Sequence, residues 1–150
     1  MVATFVVASF ERALESRLEI AFFIPGIVYL ADAIGTQTEA IAVRGLSLAR
    51  GGIGHLLAGE LRTGALIGLA LALAAFFPIL LAFGDARLAA AVSVSIFAAG
   101  AVASAIGIGL PWLFARRGLD PAYGSGPVAT VIQDILSIVV YFMVLRAFGI

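Results

Sequence analysis

The sequence predicts an all-α membrane protein, a bundle of about five transmembrane helices, and two observations predict it. Hydrophobic residues make up 63% of the 150-residue chain and charged residues only 12%, about half the charge of an ordinary soluble domain. The apolar residues also fall into runs long enough to cross a bilayer as helices, separated by short polar or glycine-containing turns. Several spans of about 20 residues with their loops use up the chain. It therefore reads as a single transmembrane domain, residues 1–150, with no soluble regulatory domain. Net charge is zero, so no basic field points to nucleic acid. There is no cysteine, hence no disulfide and no thiolate metal site. No nucleophile–base pair, hydrolase motif or phosphate-binding loop appears, so no enzyme reading has support.

Residues 1–10 are apolar but too short to span. Glu11, Arg12, Glu15, Arg17 and Glu19 follow, which is not the charge order of a secretory signal. The stretch reads as the end of a first transmembrane helix whose beginning is missing. Residues 20–34 form the second apolar segment. As a helix they would reach roughly 22 Å, short of a core about 30 Å thick. This segment must run on through Glu39 or bend near Pro25 and Gly26. Residues 40–62 carry Arg44, Arg50, His55, Glu60 and Arg62. They read as a helix end, a break at Gly51-Gly52 and an interfacial helix.

Residues 64–83 are an uncharged span. Gly64, Gly68 and Ala72 line one face of it and invite a close helix neighbour. Gly84-Asp85 is a turn. Residues 88–115 are the longest uncharged run, roughly 42 Å as a helix, so they tilt, kink near Pro111 or emerge from the membrane. Gly100 with Ser104, and Ala103 with Gly107, offer further close-packing faces. Residues 116–121 form the next loop and residues 126–148 the last span. Arginine counts of five against four weakly place the loops holding Arg44 and Arg116 on the cytoplasmic side.

The last span holds the most informative residue. Asp134 lies at membrane depth, where a carboxylate is expensive unless a cavity, a cation or a proton offsets it. Gly126, Thr130, Asp134, Ser137 and Tyr141 follow helical spacing along one face. Such a stripe offers oxygen, the donor that Mg2+ and Ca2+ prefer. The bland reading has Asp134 paired with an arginine or protonated, and has Thr130 and Ser137 bonding their own backbone. Asp32 sits at the end of an apolar segment beside Gly35 and Gln37 and suits a pore mouth or a simple interface.

These residues carry a family resemblance. Gly118-Leu-Asp-Pro-Ala122, Ser125-Gly-Pro127, Thr130, Asp134 and Tyr141-Phe142 resemble the last-helix signature of the MgtE family of magnesium channels and transporters. Phe23-Ile-Pro25, Gly35-Thr-Gln37 and Val43-Arg-Gly-Leu46 are similar to its second helix and the loop after it. The resemblance implies a homodimeric five-helix domain in the cell membrane, with a pore at the dimer interface lined by the second and fifth helices. It implies that Asp134 holds a hydrated Mg2+, the transported ion, without any organic cofactor. Asp120 would be an acid near the cytoplasmic mouth, and carbonyls near Ala129 and Thr130 would assist. Gly126, Ser137, Gly35 and Gln37 would line the path. One departure from the family pattern stands out: Ala33 occupies the usual asparagine position and the acid Asp32 precedes it, which raises Asp32 as a second cation contact.

The leading expectation is passive transport of a divalent cation through a homodimer. Two others are proton-coupled transport of a small solute, with Asp134 as proton carrier, and a membrane subunit that transports nothing itself.

Overall fold

The computed structural model describes residues 2–48, 54–123 and 125–150. Six helices form among them: α1 (Val2–Ala8), α2 (Glu11–Ser16), α3 (Glu19–Leu48), α4 (Gly54–Phe83), α5 (Ala86–Arg116) and α6 (Ser125–Ala147). Four of these, α3 to α6, are long and apolar enough to cross a membrane. The chain is an all-α, multi-pass membrane protein, as its composition predicts. The segment expected to end a first span is α1, whose follower Phe10 stacks on Phe142 of α6 with ring centroids 4.1 Å apart.

One sequence expectation is met and another needs correcting. Of the two options for the second segment, running on through Glu39 or bending, the helix takes the first: α3 continues through Leu48 with Pro25 inside it. A proline costs one backbone bond to the preceding turn, but the ladder resumes beyond it. At 30 residues the helix is about 45 Å long, more than a hydrocarbon core requires. Among the described residues there is no separate interfacial helix before the third segment. Residues 54–62 are the first turns of α4, because Leu, Ala, Glu and Arg all sustain a helix and Leu61, Arg62 and Thr63 face outward. The break expected at Gly51-Gly52 lies outside the described residues.

Helix α5 is the centre. It packs on α3, α4 and α6, and 56% of its most apolar stretch is buried, against 17% for α4. Its buried residues are mostly Ala, Ser and Gly, which let three neighbouring backbones come close. A Cβ on Gly64 of α4 would collide with the Ser104 hydroxyl, and one on Gly100 would stand 2.8 Å from Ile34 Cδ1. The small-residue faces read from the sequence are therefore the α4–α5 and α3–α5 contacts.

Asp85 fixes one end of the bundle. Its carboxylate caps α5 by accepting from the Arg87 and Leu88 backbone N–H groups at 2.8 and 3.0 Å. It also accepts from Arg17 Nη2 at 2.8 Å, tying the start of α3 to the α4–α5 turn. Nearby, the Tyr141 hydroxyl of α6 donates to the Ile20 carbonyl at 2.9 Å. At the opposite end Gly118, at φ 73°, closes α5. Gly118 N donates to the Ala115 carbonyl and Leu119 N to the Phe114 carbonyl, the glycine-terminated ending that a left-handed residue allows.

Candidate cation path along helices three and six

Helices α3 and α6 run antiparallel in adjoining positions. On α3, Asp32, Thr36, Glu39 and Val43 are spaced four, three and four apart, so they share one face. Two open pockets follow that face. The first, about 460 Å3, is lined by Tyr29, Asp32, Ala33, Thr36, Gln37 and Ala40. The second, about 320 Å3, adds Glu39 and Val43 of α3, Gly126 and Pro127 of α6, and Ala122 from the preceding loop. Thr36 and Ala40 belong to both, so the pockets adjoin.

Asp32 is half-buried, and its Oδ1 is fully enclosed without a hydrogen-bond partner. Asp134, also half-buried, lies within electrostatic reach of Asp32. Among the described residues neither acid has a cationic partner; the ion pairs there join Arg17 to Glu19 and Asp85. No group of three or more His, Cys, Asp or Glu side chains converges on one point among the described residues. A single copy therefore offers at most a few carboxylate oxygens at any one level.

The structure divides the sequence-derived site residues. Asp32 and Gln37 line the first pocket and Gly126 the second. Asp120 lies in the exposed loop two residues before Ala122, and its Oδ1 accepts from the Ala122 N–H at 2.9 Å. Ala129 is fully buried and Thr130 half-buried. Both lie in unbroken helix, where the ladder occupies one lone pair of each carbonyl and leaves the second. Ser137 and Gly35 face inward. The Ser137 hydroxyl donates to the Gln133 carbonyl at 2.7 Å, the backbone bonding that the bland reading gave it. Gly35 lies under the Gln133 side chain, whose amide carbon would be 2.6 Å from a Cβ there.

Sequence reading passed over three residues here. Gln133, a polar side chain off the α6 stripe, is 1% exposed and donates to the Ala103 carbonyl at 3.1 Å. Thr36 and Glu39 line the second pocket. The helical spacing from Asp32 to Val43 is the signal that marks the last two.

Residues 24–144 match the MgtE family, described as a divalent cation transporter. Over 146 residues the chain is 32% identical to the magnesium transporter MgtE of Bacillus subtilis, covering 95% of this chain and 32% of that protein. The magnesium transporter MgtE of Thermus thermophilus is 28% identical over 151 residues, 97% of this chain and 33% of that protein. A protein of the same name from Enterococcus faecalis is 28% identical over 146 residues, 95% of this chain and 32% of that protein. The chain spans about a third of the length of the curated relatives it matches.

Proposed function

The chain belongs to the MgtE family of divalent cation transporters, and on that premise we propose that it moves Mg2+ passively across the cell membrane through a path between two copies of itself. The carrying observation is the seam between α3 and α6. Asp32 lines an open pocket, Asp134 lies within electrostatic reach of it, and among the described residues no cation pairs with either. The family is one of transporters, so the reading is of a conduit rather than an enzyme.

In this reading the two Asp134 carboxylates face each other across the two-fold axis and hold Mg2+ through its waters. Mg2+ gives up water reluctantly. Contact through water selects by charge and size and still lets the ion leave. Asp32 and Gln37 widen the polar wall, and the second lone pairs of the Ala129 and Thr130 carbonyls assist one turn away. Gly126 keeps the α6 end open and Asp120 concentrates cations at the mouth. Ser137 and Gly35 act behind the wall, fixing α6 against its neighbours. A membrane potential of about −100 mV supplies roughly 4.6 kcal/mol to a divalent ion moving inward, enough to drive uptake. Residues 1–150 would form the transport domain of such a protein.

The test is Mg2+ flux into vesicles containing the purified chain. Asp134→Ala abolishes flux while the dimer persists. Unchanged flux rules the role out, and flux that follows a pH gradient without divalent ions favours a proton-coupled carrier.

A further inference from the structure

We propose that Glu39, with Thr36 and the first turn of α6, forms a second holding site for a hydrated divalent cation, on the Asp120 side of Asp134. That the ion is in transit rests on the transport reading above; that the pocket binds it does not.

Glu39 is 8% exposed. Every hydrogen bond accepted by a carboxylate among the described residues goes to Glu19, Asp85 or Asp120, and both ion pairs there involve Arg17. The Glu39 side chain thus has no protein partner in that set, and its carboxylate borders the pocket rather than being sealed off as Asp32 Oδ1 is. It points into the second pocket, where Oε1 stands 3.8 Å from the position a Cβ on Gly126 would take. The positive end of the α6 dipole faces it and is worth only about 0.3–1 kcal/mol, so the full charge of the carboxylate sets the sign of the pocket and favours a cation there.

Size and chemistry suit a hydrated ion better than a bare one. Six waters at about 30 Å3 each fill roughly 180 Å3, which the 320 Å3 pocket accommodates. The Thr36 hydroxyl is a further oxygen at its wall. The position is distinct from that of Asp134. Glu39 lies seven residues beyond Asp32 on α3, and Gly126 eight before Asp134 on α6, so the pocket sits roughly 10–12 Å toward the Asp120 end. Two ions at that separation repel, and such multi-site repulsion speeds release from the inner one.

Mn2+, which shares Mg2+'s preference for oxygen, is the probe, with the full chain in lipid vesicles. The chain has no cysteine, so Tyr123→Cys carries one nitroxide at an exposed residue beside the pocket wall. Saturable Mn2+ enhancement of the label's relaxation is expected, and it persists in Asp134→Asn. Glu39→Gln moves its midpoint about ten- to hundredfold higher, and Glu39→Asp moves it less. A Glu39→Gln curve that superimposes on its parent overturns the site and leaves Glu39 as a partner of the α6 terminus. Should Glu39→Gln fail to assemble, the Glu39→Asp curve decides alone, and again coincidence with the parent overturns the site. Loss of the transport reading registers separately, as flux that survives Asp134→Ala.

Discussion

The seams on either side of the molecule use small residues to opposite ends. Between α4 and α5, Gly64 and Gly68 let the helices close, and a Cβ on either meets the Ser104 side chain or the Phe97 backbone. The apolar pocket along that seam, walled by Leu69, Leu73, Phe76, Val94 and Phe97 among others, has no ionisable residue in its lining. Between α3 and α6 the small residues Ala33, Ala40, Ala122 and Gly126 leave room, and Asp32 and Glu39 border the space. A glycine thus marks contact only where a neighbour occupies the place of its missing side chain. Among the described residues, the place beside Gly126 has Glu39 Oε1 at 3.8 Å and nothing nearer, and this glycine borders the second pocket. The same residue type serves a tight contact in one seam and an open pocket in the other.

That contrast can be broken most directly at Gly107, on the dry side of α3. A Cβ there would press on the Gly35 carbonyl and stand 3.1 Å from the Glu39 N–H. Backbone cannot rotate away as a side chain can, so Gly107→Ala costs about 1–3 kcal/mol, read as a fall in the unfolding midpoint in detergent. An unchanged midpoint would mean that α3 and α5 are not in tight contact. Asp32→Asn probes the wet side: flux drops about tenfold with the unfolding midpoint retained, and equal flux would remove Asp32 from the path. Gly126→Ala sharpens the comparison further. Its nearest neighbour would be Glu39 Oε1 at 3.8 Å, ordinary contact, so stability changes by less than about 0.5 kcal/mol. A large loss there would show that the pocket is closed.

The smallest effect is expected away from both seams. The Leu88 backbone N–H, then the Arg17 guanidinium, hold the Asp85 carboxyl below the usual carboxylate range. A group depressed on folding stabilises the fold above its unfolded pKa, and that contribution fades as pH falls through the folded value. Melting curves should therefore fall between about pH 5 and pH 3 less in Asp85→Asn than in the parent. Identical acid profiles would show that the clasp adds nothing.

Much of this was legible in the sequence because bilayer physics leaves few options. Long uncharged runs must be helices, and the glycines of residues 64–68 and 100–107 announced their close contacts. The acid at Asp134 was conspicuous for the same reason. What escaped detection depended on where α3 ends. Pro25 and Gly26 leave a bend as open as an extension, and the charges of residues 40–62 read as a helix end and a turn. Burial of Thr38 and Glu39 in a continuous helix overrode that local signal. The inward turn of Ser137 was equally hidden, since spacing fixes a shared face but not which neighbour the face meets.

The Arg17–Asp85 clasp has a mechanical corollary. With the Tyr141 tether beside it, it bolts α3, α5 and α6 together at the membrane surface remote from Asp120. A rod bolted at one tip swings widest at the other, so any rocking of α6 would be felt first around Gly126 and Glu39.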